Sequence, residues 1–199
     1  MSKIQNNQYY NNNLSGDAYD NYKKIQIIRH NIKLYKKRDK KEYEICFEQF
    51  KDLIKMNSKM ICLGTRNNHE RDVFSELSKN INLKVFSQDL AKKSNADFIG
   101  DFNNLSDFVP SDWDIIYSNS LDHAINANKT FYEWLNVVKK GGIIVLGFNF
   151  GDDVISETDC NSFNKNIVDK LGVIAPDKMK WFLELIDWKR FHKTFLKGE

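Results

Sequence analysis

Little in this sequence invites cross-linking, membrane insertion or metal binding. Its three cysteines, Cys46, Cys62 and Cys160, are odd in number, far apart and without CxxC spacing. That excludes a disulfide framework and a cysteine zinc site, and fits free thiols in a reducing compartment. No run approaches the ~20 apolar residues of a membrane helix, so no span is expected. Met1 to Asn13 is polar and Asn-rich, with no basic start, apolar run or small-residue cleavage site. It does not read as a secretory signal, and a cytoplasmic location is expected. His30, His69 and His192 are scattered, and no HxxxH or paired-carboxylate spacing marks a metal site. GxGxxG and the Walker phosphate loop are both missing, which argues against NAD, FAD and nucleoside triphosphates. The net charge of +3 permits anionic partners without demanding them.

What is present suits one folded domain. The chain has 199 residues, 41% hydrophobic and 13% aromatic, enough for a real core. Residues 1–18 read as a flexible tail and residues 19–58 as a helical extension. In the extension, Tyr22, Ile25, Ile28, Ile32 and Tyr35 recur at helical spacing and predict an apolar stripe. Tyr43, Cys46, Phe47, Phe50, Leu53 and Ile54 predict a second helix. Between them lies a basic cluster, Lys33 to Lys41, read as a solvated helix end or an anion-docking patch.

From Lys59 to Glu199 the texture changes to short apolar runs alternating with helical stretches. Strands are expected at Met60–Leu63, Leu83–Phe86, Ala96–Ile99, Trp113–Tyr117 and Gly142–Gly147. Helices are expected at His69–Leu77 and Thr130–Val138. Pro176–Trp188 reads as a helix or, in its second half, a strand, and Arg190–Leu196 as the last strand. The alternation predicts an α/β fold: a doubly wound, mostly parallel, Rossmann-like sheet with helices on both faces. Such sheets bind ligands beyond the carboxyl ends of their strands, where strand order reverses. The turn Leu63-Gly64-Thr65-Arg66-Asn67-Asn68-His69-Glu70 and the stretches after Gln88-Asp89, Gly100-Asp101-Phe102 and Ser118-Asn119-Ser120 all fall at those ends.

That order of segments, followed by WDIIYSNSLDHA and FYEWLNVVKKGGIIVLGF, resembles a class I S-adenosylmethionine-dependent methyltransferase of the methyltransferase type 11 group. The resemblance covers about residues 59–149. It departs from the family at the glycine-rich first motif, whose positions read Cys62, Gly64, Arg66 and Asn68. It implies S-adenosylmethionine as cofactor. Gly64 would lie against the methionine part, flanked by Thr65 and Arg66, the latter a partner for the carboxylate. Asp89 would bind the ribose hydroxyls, Asp101 the adenine amino group, and Phe102 the ring. Ser118 and Asn119 would complete the cofactor site.

Asp114, opening the fourth strand, reads as structural or cofactor-facing. His123, with Asp122 beside it, is the candidate base for an acceptor hydroxyl. No Asn/Asp-Pro-Pro-Tyr/Phe or Pro-Cys follows the fourth strand, which speaks against adenine amino-group and cytosine C5 methylation. The expected acceptor is therefore a hydroxyl of a small molecule or saccharide, bound between the helical extension and residues 149–161. The alternatives are an RNA methyltransferase, or a non-catalytic module binding RNA or a protein. The aromatic and basic segment Trp181–Lys197 keeps nucleic acid in view without favouring it.

Overall fold

The Met60–Leu63 run is apolar at every position because both faces of its strand are covered. In the computed structural model, which describes residues 16–35, 37–149, 179–186 and 190–197, it belongs to β1 (Lys59–Leu63). Met60 and Cys62 face one core, and Ile61 and Leu63 face the other. The same alternation runs through β4 (Trp113–Ser118) and β5 (Val138–Asn149): Ile115, Tyr117, Ile143 and Val145 on one side, Ile116, Ile144 and Leu146 on the other. Helices α2 (Lys40–Phe50) and α3 (His69–Leu77) cover the first face. Helix α4 (Ala127–Val137) covers the second, with Trp134 fully buried.

With β2 (Lys84–Asp89), β3 (Phe98–Ile99), β6 (Met179–Ile186) and β7 (Arg190–Lys197), the sheet order is β3-β2-β1-β4-β5-β7-β6. β1 to β5 pair in parallel, and β7 runs antiparallel to both β5 and β6. The expected doubly wound, mostly parallel sheet is thus present, and strand order reverses between β1 and β4. Met179–Ile186 is a strand, which settles the open reading of Pro176–Trp188 for those residues. The third strand is shorter than expected. Residues 150–178, which include most of the expected acceptor loop, lie outside the described residues. No described helix is long and apolar enough to cross a membrane.

Two ends of the chain's chemistry are set by this frame. Asp114 sits at the amino end of β4, where it accepts from the Lys59 amide at 2.7 Å and pairs with Lys139. Its role is structural. Gly142 must be glycine, because an added Cβ would lie 2.9 Å from the Asp114 carbonyl oxygen.

The N-terminal helix corrects the sequence expectation. Helix α1 spans Gly16–Ile32, so Gly16 to Ala18 are its first turn and not tail. Its buried residues are Tyr22, Gln26 and His30. The predicted apolar stripe is largely outside: Ile28 is 57% and Ile32 65% exposed, and Tyr35 beyond the helix is 76% exposed. The helix turns a polar face inward because it covers a polar site.

Candidate functional site

The β1–α3 turn forms the floor. Gly64 has φ +70°, and a Cβ there would lie 2.8 Å from Ser120 Cβ, so only glycine fits. Its amide donates to the Gln88 carbonyl at 2.9 Å. Arg66 and Asn68 also take left-handed backbone, φ 52° and 60°. The glycine-rich shape therefore persists at 64, 66 and 68 although two of the three residues are not glycine. Asparagine tolerates this region and arginine bears a cost. Asn68 is fixed by its side chain, which donates to the Ser94 and Asn95 carbonyls at 3.0 Å each and accepts from Thr65 Oγ1 at 3.2 Å.

The second wall is the carboxyl end of β2. Asp89 is fully buried and accepts from the Arg66 amide at 2.8 Å and the Ala91 amide at 2.7 Å. His30 Nδ1 of α1 lies 3.0 and 3.1 Å from its two carboxylate oxygens, so that nitrogen carries the proton and donates. Beyond β3, Asp101 accepts from the Asn103 amide at 3.0 Å and Asn103 Nδ2 at 2.7 Å. Its other oxygen takes the Tyr19 hydroxyl of α1. Burial and the adjacent carboxylate push the Tyr19 hydroxyl's pKa far up, which keeps it a donor. Phe102 stacks edge-to-face on Trp134, centroids 5.6 Å apart, and Trp134 Nε1 donates to the Phe102 carbonyl at 2.9 Å.

The third wall follows β4. Ser118 Oγ donates to the Leu63 carbonyl at 3.2 Å, tying β4 to β1 just before Gly64. Asn119 Nδ2 donates to Glu70 Oε1 at 3.3 Å, and Tyr43 OH donates to the same oxygen at 3.0 Å. His123 Nε2 is 4.0 Å from Asp122 Oδ1, beyond direct hydrogen-bond reach and at the edge of ion-pair range.

These walls enclose two adjoining cavities. One, about 400 Å³, is lined by Tyr22, Gln26, His30, Gly64, Asp89, Asp101, Phe102, Ser120 and His123 among others. The other, about 360 Å³, is lined by Arg38, Gly64, Thr65, Arg66, His69, Glu70, Asn119, Ser120 and His123 among others. Gly64, Ser120 and His123 border both. In the second cavity two buried polar atoms lack hydrogen-bond partners, Arg66 Nε and Glu70 Oε2. Desolvation, and then Arg38, lower the pKa of Arg66, while the carboxylates of Glu70 and Asp89 oppose the shift.

Of the residues expected to hold cofactor, Gly64, Thr65, Arg66, Asp89, Asp101, Phe102 and Asn119 line these cavities at the carboxyl ends of β1, β2, β3 and β4, whereas Ser118 is buried and lines neither. Asp122 lines neither cavity. The sequence reading missed Tyr19, Tyr22, Gln26 and His30, and Glu70 as site residues, whereas Arg38 belongs to the basic cluster read as a solvated helix end or an anion-docking patch. The signal for the first four was present as a polar stripe at i, i+3, i+7 and i+11.

No family profile matches the sequence, and no curated protein matches it. Solved structures do. One is a chain of the Haloferax volcanii complex between the Trm112 methyltransferase activator and a protein proposed to be a methyltransferase. It has TM-score 0.63 and 13% identity, covering 85% of this chain and 98% of that one. An S-adenosylmethionine-dependent methyltransferase from Clostridium acetobutylicum gives TM-score 0.58 and 12% identity, covering 92% of this chain and 100% of that one. The cyclase SpnF gives 0.60 and 9%, covering 80% of each chain. At such identities the likeness is one of fold. This chain has the Rossmann-like fold of class I S-adenosylmethionine-dependent methyltransferases, a fold that also carries a cyclase.

Proposed function

We propose that this chain binds S-adenosylmethionine along the cleft and transfers its methyl group to a hydroxyl oxygen of a small-molecule or saccharide-type acceptor. The observation that carries the reading is that Arg66 and Glu70, each with a buried polar atom lacking a hydrogen-bond partner, both line the second cavity. A half-buried cation and a buried anion, four residues apart in the chain, match an α-amino acid end, with its carboxylate and ammonium. The first cavity offers Asp89, Asp101 and Phe102 for a nucleoside. The residues present therefore fit the cofactor at both ends, with Gly64 giving the close backbone approach between them.

When bound, the cofactor would supply a sulfonium-activated methyl group to the acceptor oxygen and leave as the neutral thioether. The protein's part is chiefly positioning. Gly64, Ser120 and His123 border the junction of the cavities, where the middle of an extended ligand would lie. His123 at that junction receives the proton that the acceptor hydroxyl loses. Asp122, 4.0 Å from its ring, supplies negative charge beside the imidazolium that forms. Arg38, brought in from the α1–α2 connection by a hydrogen bond from His69 Nε2 to its carbonyl at 2.9 Å, adds positive charge at the carboxylate end.

Calorimetry with S-adenosylmethionine and S-adenosylhomocysteine tests the reading. Micromolar binding that falls at least tenfold in Asp101→Ala and in Glu70→Gln is expected. Folded protein that takes up neither ligand would favour a non-catalytic module. Once binding is established, a hydroxyl-acceptor screen with His123→Ala follows: retained cofactor binding with lost turnover supports the base, and unchanged turnover removes it.

A further inference from the structure

Helix α1 holds the nucleoside-recognising carboxylates in contacts that a bound nucleoside would itself need. Asp89 offers about four acceptor positions. Two go to the fixed amides of Arg66 and Ala91. His30 Nδ1 sits astride the two oxygens and takes what remains. A ribose diol needs those same positions, so His30 and the diol exclude each other at Asp89. At Asp101, one oxygen is held by Asn103 and the other by the Tyr19 hydroxyl, which stands where an exocyclic amine would donate. Between them, Tyr22 OH donates to the His123 carbonyl at 2.5 Å and accepts from Gln26 Nε2 at 2.8 Å. Tyr19, Tyr22, Gln26 and His30 share one helix face.

The helix is also built to leave. Its apolar anchorage is a small cluster of Tyr22 and Ile125 with Tyr19, separate from the two main cores. Its Ile28 and Ile32 face outward. Its end is a seven-residue connection, 33–39, and not a helix continued into α2. An element resting on polar contacts and little apolar area belongs to the low-stability end of a fold and opens without unmaking the core.

We infer that α1 is an autoinhibitory latch: its His30 and Tyr19 occupy the ribose and adenine positions, and cofactor uptake displaces them. This rests on the cofactor reading above. Binding of S-adenosylhomocysteine by the full chain is measured for wild type, Tyr19→Phe, His30→Ala and the double variant, with melting curves to confirm folding. Each single variant removes one competing donor and binds about three- to tenfold tighter, and the double variant tighter still. Hydrogen exchange in residues 16–32 of the wild type speeds up on binding. Weaker or unchanged binding in the variants, or slower exchange in α1, overturns the latch while leaving the cofactor reading intact; the helix would then be a wall that closes on ligand. Should none of the four proteins bind, the latch falls together with the cofactor reading.

Discussion

Replacing Gly64 by alanine makes the most direct test of the site's geometry. Two costs arise. The backbone at φ +70° disfavours any Cβ by roughly 1–2 kcal/mol. The new methyl would lie 2.8 Å from Ser120 Cβ and 2.9 Å from its Oγ, an overlap of the kind that costs about 1–3 kcal/mol in packed interiors. Together they predict a loss of about 2–5 kcal/mol, a large share of the ~5–15 kcal/mol that holds an ordinary domain together. For a chain of this size that lowers the melting temperature by about 4–20 °C. The two costs are separable, because only the overlap involves residue 120. In Gly64→Ala/Ser120→Gly the overlap vanishes and the backbone cost stays, so urea denaturation should show coupling of about 1–3 kcal/mol in favour of the double variant. Ser120→Ala removes the Oγ contact but keeps the Cβ one, and should give only a partial rescue. Additive Gly64 and Ser120→Gly effects, or a Gly64→Ala melting temperature within 2 °C of wild type, would refute the close-approach argument.

Other substitutions probe neighbouring features. Arg66→Gly relieves left-handed strain and adds glycine's entropy, a net gain of about 0.5–1 kcal/mol in urea denaturation, while S-adenosylhomocysteine binds more weakly; a destabilised variant would contradict the φ of 52°. Trp134→Phe keeps a ring against Phe102 but leaves the Phe102 carbonyl without its donor, at a cost of about 1–3 kcal/mol read from the same denaturation curves. Cys46 and Cys62 are buried, and burial pushes both thiols well up, so at pH 8 a disulfide reagent should find at most one thiol in the native protein and three after unfolding. The same burial sets an alkaline limit. Unfolded thiols ionise from about pH 8.5 and the folded ones do not, so stability falls by about 1.4 kcal/mol per pH unit per thiol above that value. Buried Tyr43 and Tyr117 add to the slope above pH ~10; urea midpoints that stay level between pH 8 and 10 would refute this.

How far the sequence led depended on what each segment packs against. Met60–Leu63 and His69–Leu77 were legible because an apolar run between turns, or an apolar helical face, meets an apolar core. Strand ends then placed Gly64, Asp89, Asp101, Phe102 and His123 at one edge without any tertiary information. Helix α1 failed the same test. Its hydropathy pattern selects Ile28 and Ile32, yet the surface beneath it presents carboxylates, so the face with Tyr19, Gln26 and His30 turns in. Those contacts join residues 59 and 82 positions apart, and no periodicity encodes them. The degenerate glycine motif misled in the other direction. Residue identity at 66 and 68 departs from the family's glycines, whereas the backbone there takes the left-handed conformation that glycine favours.

Why those positions were kept costly is the more informative question. A turn could avoid Arg66 at φ 52° by using glycine, and a core could avoid Arg66 Nε and Glu70 Oε2 without partners by using apolar side chains. Each choice forgoes roughly 1–3 kcal/mol. They fall within five residues of one another, at residues that line one cavity. Elsewhere in the same turn Asn68 spends its amide on two carbonyls and its oxygen on Thr65, so the turn is otherwise well bonded. Local rules broken together beside a well-satisfied neighbour mark a place where the missing partner comes from outside the chain. A ligand bearing both charges would satisfy Arg66 and Glu70 at once, whereas a simple anion would leave the Glu70 oxygen as it is. The opposite charges of these two residues, which line the same cavity, thus fit an amino-acid end better than a phosphate, on grounds independent of the fold's likeness to methyltransferases.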